Sequence, residues 1–343
     1  MHNEPLFSVV VLSFNGIDLI GRCLDSLLAQ SYDRVEIIVV DNASSDGTAE
    51  VISQNYPTVR LIRSRSNMGY AGGNNIGIRE SRGDLVALLN QDTESHPAFL
   101  EEIAKAAAES CGNVGMWGPK CLYMGSPSTI NSVGILVTGD LATFNRGMGE
   151  LDVGQYEEPT HILGPYGAAA VYERELLRNT GLLDESYVFM QEETELALRA
   201  RFAGWACEYV PKAHVHHVRS ANLGIGSPVK LYYGERNRIW NAIKFLPSDR
   251  LPCSVGYTFR RYAHAVRYRK SAASKVVRAP RVSALSLART LVRAWMDALK
   301  QLPSKYQERR LLWSEKRVPD YEVSRWLIDY SAGLDPYVRY PTK

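Results

Sequence analysis

Three carboxylates, Glu192, Glu193 and Glu195, stand within four positions, directly before the helical-looking run Leu196-Ala197-Leu198-Arg199-Ala200-Arg201-Phe202. The segment ahead of them, Tyr187-Val188-Phe189-Met190, is apolar and reads as a buried strand end or loop. Carboxylates crowded beside apolar groups repel one another and lose hydration. Both effects raise a pKa and leave one group able to accept a proton near neutral pH. A general base is the chemistry this pattern offers; an acidic first turn on a solvent-facing helix is the plain alternative.

Four other segments put polar residues where chemistry can use them. The run VVDNASSDGT ends an apolar strand at Asp41, too early to cap the next helix, which Asp46 is placed to do. A carboxylate at a strand end can accept from a base imide N–H or a ribose hydroxyl. The run from Asn67 to Asn75 holds three glycines and three asparagines. Glycine lets the backbone approach a ligand, and exposed N–H groups can cradle an anion. The spacing is neither a Walker nor a dinucleotide fingerprint, and a long turn is the alternative. Asn90-Gln91-Asp92 offers oxygens at alternate positions, suited to a hard divalent cation on a diphosphate. Asp92 as a helix cap is the competing reading, with Ser95 able to cap in its place. His214, His216 and His217 follow a strand and a proline; alternation puts the first two on one side and His217 on the other. One imidazole can ligate a metal or touch a diphosphate, and a purely structural histidine is the alternative for each.

Buried strands must position these residues. Phe7–Ser13 and Val35–Val40 are β-branched runs expected as buried strands, the first covered on both faces, and Val59–Ile62 and Leu85–Leu89 read as a third and a fourth strand. Helical patterns lie between them: from Asp18, a candidate N-cap, through Leu28; 48–54; 74–80; and 98–109, opened by Ser95-His96-Pro97. Units of roughly 25–30 residues alternating strand and helix predict a mostly parallel, doubly wound α/β sheet. Ligands bind such sheets beyond the carboxyl ends of the strands, and Asn15, Asp41, Asn67 and Asp92 all fall there. Residues 110–165 suit irregular strands. A helix over 173–179 ending at Gly181, the acidic helix closed by Gly204, a strand over 205–210 and a helix over 231–246 complete the expected main domain.

A domain boundary is expected near 246–252, giving a domain over 1–246 and a basic, mainly helical region over 247–343. From residue 251 onward there are 19 Lys/Arg against 7 Asp/Glu, whereas residues 1–250 hold 21 against 30. Such asymmetry points to a partner for the basic part. Within 283–302, Leu285, Ala288, Leu291, Val292, Trp295, Leu299 and Leu302 form a helical apolar stripe with Arg289, Arg293 and Lys300 off it. That suits either a helix packed on the main domain or an interfacial helix on an anionic membrane surface. No nucleic-acid module accompanies the charge, so a nucleic-acid partner is not expected. Five scattered cysteines without a CxxC pair support neither a disulfide framework nor a zinc site, and fit a reducing compartment. No basic leader and no apolar run near ~18 residues is visible. The expected location is cytoplasmic, with peripheral association on the inner face of the plasma membrane.

Taken in order, SVVVLSFNG, VVDNASSDGT, NMGYAGGNN, LLNQDTE, GAAAVYERELLRNTGLLDE, EETELALRARFAGW and YYGERNR resemble glycosyltransferase family 2, and within it the bacterial rhamnosyltransferase-type branch with the GT-A fold. The likeness covers roughly 6–245. It implies inverting transfer of a sugar from a nucleotide-sugar, dTDP-rhamnose by preference or a UDP-sugar, to a glycan or polyprenyl-diphosphate-linked acceptor. It places Ser13, Asn15, Asp41, Asn67, Gly69, Asn74 and Asn90 around the donor. It places Mg2+ or Mn2+ at Asp92 with His216 or His217. Glu193 takes the base position, with Glu192 as its substitute, and Glu195 positions the helix or an acceptor hydroxyl. The chain departs from the family in two places: Asn90-Gln91-Asp92 stands for Asp-x-Asp, and Glu193 for the usual Asp.

Two other functions compete. A sugar nucleotidyltransferase would carry a Gly-rich basic signature after the first strand, and Val11–Gly16 has no lysine or arginine. A non-catalytic nucleotide- or carbohydrate-binding protein on the same fold would keep the donor residues and need no base.

Overall fold

The computed structural model describes residues 4–218, 227–272 and 283–333. The chain opens with β1 (Phe7–Ser13), α1 (Ile20–Leu28), β2 (Val35–Asp41), α2 (Thr48–Asn55), β3 (Arg60–Arg63), α3 (Gly69–Glu80), β4 (Leu85–Asn90), β5 (Thr93–Ser95) and α4 (Phe99–Glu109). There follow β6 (Val114–Tyr123), β7 (Ser126–Ser132), β8 (Ile135–Val137), β9 (Thr143–Asn145), β10 (Thr160–His161) and β11 (Ala169–Glu173). The chain continues with α5 (Arg174–Thr180), a 3-10 turn at Glu185–Tyr187, α6 (Glu192–Phe202), β12 (Ala206–His217) and α7 (Pro228–Phe245). Four more helices close it: α8 (Leu251–Ala272), α9 (Ala284–Lys300), α10 (Leu302–Glu315) and α11 (Asp320–Asp329).

The main sheet runs β10-β12-β6-β11-β4-β1-β2-β3. Strands β3, β2, β1 and β4 are parallel. Because β2 and β3 extend to one side of β1 and β4 joins on the other, the strand order reverses between β1 and β4 while all four strands stay parallel. A crevice opens there at the carboxyl ends. Beyond β4 the sheet is mixed: β11 inserts antiparallel between β4 and β6, and β12 runs parallel to β6. Alternate residues feed two cores. Val9 and Val11 pack with α1 and α4 on one face, while Val10, Ile38 and Val40 pack with α3, α5 and α6 on the other.

Three local features differ from the sequence reading. Helix α3 starts at Gly69, five residues earlier than expected, so most of the glycine-rich run is helix and not loop. A Cβ at Gly73 would lie 2.3 Å from Leu12 Cδ1, and one at Gly77 2.3 Å from Val10 Cγ1, so these glycines let the helix sit flush on β1. Asp18 does not cap α1, whose N-cap Leu19 makes no side-chain bond. Strand β12 continues through Pro211 by way of a register shift between Val210 and His214, so all three late histidines lie within it.

The compositional break near 246–252 falls at a helix boundary inside a shared core. Leu198 and Phe202 of α6 and Phe245 of α7 pack with Val323 and Trp326 of α11 and with Trp313 of α10. Ala332 N donates to the Val137 carbonyl at 2.8 Å. Of the basic residues, Lys275, Arg278 and Arg281 lie outside the described residues. Among the described residues no helix is long and apolar enough to cross a membrane.

The α3 packing yields a paired test. Gly77→Ala should destabilise the protein by about 1–3 kcal/mol through overpacking against Val10. Gly256→Ala, in α8 with nothing within 4 Å of the new methyl, should be neutral or stabilising by up to about 1 kcal/mol. Urea midpoints measure both, and equal effects at the two sites would refute the close α3–β1 fit.

Candidate functional site

The crevice rim is built from the ends of β1, β2 and β4. Ser13 Oγ donates to Gln91 Oε1 (2.6 Å), as does Phe14 N (3.0 Å), and Gln91 Nε2 donates back to the Phe14 carbonyl (3.1 Å). Gln91 therefore staples β1 to β4, and it fills the space a Cβ at Gly16 would need. Asn15, at φ 46°, accepts from Ser45 N (2.9 Å), while its own N donates to Ser44 Oγ (2.9 Å). Ser13 and Asn15 thus shape the rim by holding neighbouring loops together. Asn90 ends β4, and its carbonyl accepts from Thr93 Oγ1 (2.7 Å).

Asp41 is 4 % exposed at the end of β2, and its Oδ1 is buried with no partner. A buried carboxylate oxygen without a donor costs free energy, so the site awaits an N–H or O–H. The next residue, Asn42, donates to Asn67 Oδ1 and to the Gly69 carbonyl (both 3.1 Å) and accepts from Met68 N (2.8 Å). The start of α3 is thereby locked to β2. Asn74 sits inside α3, donating to the Tyr70 carbonyl (3.0 Å), and its Oδ1 is likewise buried and unpaired.

Asp92 Oδ1 lies 3.3 Å from His217 Nε2. His217 Nδ1 is 2.8 Å from the fully buried Asn131 Oδ1. An amide oxygen only accepts, so Nδ1 donates to it, and Nε2 is left facing the Asp92 carboxylate, where a neutral ring would offer its lone pair to a cation between them. The spacing also suits adjacent ligands of an octahedral divalent ion, about 3.0 Å apart for bonds near 2.1 Å. Among the described residues no group of three His, Cys, Asp or Glu is arranged around a metal. The pair therefore fits an ion that completes its shell from phosphate and water. His216 alternates to the opposite face, paired in register with Glu94, so of the two expected histidines only His217 stands at Asp92.

Glu192 and Glu193 open α6. Backbone N–H groups of that first turn pull the Glu193 carboxyl down, but loss of water outweighs them and raises it to about 7. Glu192, 4 % exposed and with Oε2 unpaired, is pushed well above the usual carboxylate range by burial and then by the Glu193 charge. Of the two, Glu192 is the harder to ionise, and Glu193, raised to about 7, can accept a proton near neutrality. Glu195, expected with them, belongs elsewhere: it binds Arg199 (2.7 Å) and Lys244 (2.7 Å). Burial alone would raise its carboxyl; those two cations outweigh burial and hold it below its ordinary value. It anchors α6 and is not free for proton transfer.

Adjacent residues join the two halves. The Tyr166 ring stands 5.8 Å from the His217 ring. At Gly167 a Cβ would lie 3.4 Å from Glu193 Cδ, and the Gly167 carbonyl accepts from Tyr70 Oη of α3. Contacts thus run from the Asp92–His217 pair through Tyr166 and Gly167 to Glu193 and to Tyr70 of α3, whose start Asn42 ties to the strand that ends in Asp41.

The sequence reading missed what holds the carboxyl pair. Val188, Met190 and Gln191 all have left-handed φ (62°, 70° and 68°), conformations that cost free energy in non-glycine residues. Asn237 Nδ2 of α7 reaches the carbonyls of Tyr187, Phe189 and Met190 at 3.0, 2.9 and 2.7 Å. Arg236 donates to the carbonyls of Ser186 and Tyr187, and Asn241 joins Tyr187 Oη to Gln191 Oε1. The Val188 carbonyl accepts from Tyr70 N (2.6 Å), and Gly69, at φ 71°, leaves no room there for a Cβ. The YYGERNR run was the available signal: a polar cluster inside a helix, without a stated duty.

The family model for "Glycosyl transferase family 2" matches residues 8–181. The chain is 27% identical over 237 residues to the N-acetylglucosaminyl-diphospho-decaprenol L-rhamnosyltransferase of Mycobacterium tuberculosis, covering 63% of this chain and 77% of that protein. It is 27% identical over 229 residues to the succinoglycan biosynthesis protein ExoO of Rhizobium meliloti, covering 64% and 62%. Three such curated relatives are spanned over 26%, 60% and 62% of their own lengths. A mannosyltransferase from Pyrobaculum calidifontis, solved with GDP-Man and Mn2+, superposes at TM-score 0.51 and 16% identity, covering 91% of this chain and 86% of that one. The chain belongs to glycosyl transferase family 2, and its fold is GT-A.

Proposed function

We propose that this protein is an inverting glycosyltransferase. It moves a sugar from a nucleoside-diphosphate donor to a hydroxyl of a glycan or polyprenyl-diphosphate-linked acceptor in the making of a cell-surface polysaccharide. The geometry that supports the reading is the partly buried Glu193 carboxyl beside Gly167, which follows the Tyr166 ring set against His217, the partner of Asp92; burial raises that carboxyl to about 7. The mycobacterial relative's name favours rhamnose as the sugar and a lipid-linked acceptor; dTDP as its carrier is what the motif resemblance implies.

Asp41 accepts from the pyrimidine base through its unpaired Oδ1. The Asn67–Gly69 turn and the rim of Ser13, Asn15 and Asn90 shape the space for the rest of the nucleotide. Asp92 and His217 are the residues that would hold Mg2+ or Mn2+, whose chemistry there is to offset charge on a departing diphosphate. Glu193 takes the proton of the acceptor hydroxyl as that oxygen attacks the anomeric carbon, and the nucleoside diphosphate leaves from the opposite side. Glu192, kept protonated, adds no second negative charge to compete for that proton.

Glu193→Gln should lower the transfer rate by about 10²–10⁴-fold while donor affinity, measured by calorimetry, stays within a factor of about two. Unchanged transfer would remove Glu193 as base, and transfer absent from wild type with every donor would leave a binding protein. The pH dependence has a definite sign. Glu193 must be ionised, so kcat should rise as pH passes upward through about 7, and Glu193→Asp should move that limb. A flat profile between pH 5 and 8 contradicts the assignment. Asn237→Ala should release the left-handed segment and cut kcat by about 10- to 100-fold with donor affinity kept, because small misplacement of a reacting group is costly. A variant with loss of donor binding but normal kcat would show that Asn237 serves the donor and not the base.

A further inference from the structure

Helix α9 meets the body of the protein through small residues. Ala294 and Ala298 are fully buried, and Trp240 Nε1 of α7 donates to the Ala298 carbonyl at 3.2 Å. Its far face carries Leu285, Val292, Met296 and Leu299, each between 56 and 60% exposed. At the helical repeat these four project within about 60° of one another. Leu291 and Trp295, expected in the same stripe, are half-buried instead, and Met296 takes their place. Next to this face α8 presents Val255 and Phe259, exposed by 52% and 59%, with the Phe259 ring 6.2 Å from that of Trp295. Exposed apolar side chains gathered into one stripe mark an interaction site.

The border of the stripe is basic. Arg289, Arg293 and Lys300 line its groove, and Arg260 follows Phe259. Residues 251–300 contain eleven Lys/Arg and one acid, Asp297. Asp297 is already held by Lys300 (2.8 Å), Arg293 (3.7 Å) and Tyr232 Oη (2.8 Å). A second copy laid across this face by a two-fold axis would set the cations near their own counterparts with no acid to receive them. A surface that is anionic in its plane and apolar beneath it matches both halves of the pattern.

We propose that the α8–α9 face docks on an anionic lipid bilayer, with the Leu285–Leu299 stripe at the acyl boundary and the flanking cations at lipid phosphates. The docking gives purpose to the lipid-linked acceptor and rests on that reading only for its purpose.

Sedimentation of the full chain with vesicles tests it. Binding to phosphatidylglycerol-rich vesicles should exceed binding to phosphatidylcholine vesicles. It should weaken by at least about tenfold in Val292→Glu/Met296→Glu and weaken further as salt is raised toward about 0.5 M. The double variant should keep the wild-type melting temperature and, with a soluble acceptor, the wild-type transfer rate. Three results would overturn the proposal: no sedimentation of wild type with phosphatidylglycerol vesicles, equal binding to both lipids, or a wild-type dimer that the double variant converts to monomer. If transfer fails for every donor while vesicle binding persists, the proposed reaction falls and the docking surface stands.

Discussion

A carboxyl pair at the first turn of a helix, Glu192 buried and Glu193 partly so, is the constraint around which this side of the fold is arranged. Helix starts favour ionised carboxylates, because free N–H groups and the helix dipole stabilise negative charge. At Glu192 and Glu193 burial opposes this and wins, raising both groups. Glu195, two positions further on, is also buried, yet Arg199 and Lys244 keep its charge. One turn of helix thus holds carboxylates in opposite states. What separates them is whether a cation lies within reach.

Keeping the pair in place falls to polar groups that a hydrophobic reading would put outside. The 188–191 segment is left-handed at three of four positions, and its carbonyls are gathered by one asparagine of α7. Around it, Glu235 and Asp140 are buried with Arg238 and Arg261 in a closed set of ion pairs. Those arginines overcome burial and draw Glu235 down to about 2. Breaking such a network strands a buried charge, so it constrains geometry more than it adds net stability. The result is a rigid mount for α6, tied through the Val188 carbonyl to the start of α3 and, by way of Asn42, to the strand that ends in Asp41.

Much of this was legible where local pattern and global packing agree. Strands β1, β2 and β4 are buried on both faces and read as unbroken apolar runs. The polar residues at their ends were visible because the parallel topology sends them to one edge. Where tertiary packing overrides propensity, the reading failed. Gly72 and Gly73 argue against a helix by type, yet close packing calls for glycine in α3: a Cβ at Gly73 would meet Leu12, and one at Gly77 would meet Val10. Pro211 argues for a strand end, yet a register shift carries β12 past it. Glu195 cannot be told from Glu193 by type; of the two cations that distinguish it, Arg199 stands one turn on in the sequence, but Lys244 is 49 residues away. The duty of Asn237 was hidden because periodicity reports apolar faces and says nothing of a polar face turned inward.

Helix α7 also determines how the far side of the molecule relates to the cleft. Its Asn237 and Asn241 hold the segment that leads into Glu193, and Trp240, between them in sequence, packs on Tyr187 with rings 5.5 Å apart. The same indole donates to α9, whose Ala298 it helps to bury. From α10, Lys305 reaches Asp184 (3.1 Å) and Ser186 (3.0 Å), in the turn just ahead of the left-handed segment. Burial would raise Asp184; Lys244 and Lys305 reverse that and hold it below the carboxylate range. Its share of stability is present above its unfolded pKa and is lost only as pH falls well below it. The C-terminal helices therefore reach the segment ahead of Glu193 through packed side chains and buried ion pairs. Were α9 to dock on a membrane as proposed, the orientation of the segment ahead of Glu193 would be fixed as well, because α7 packs on both.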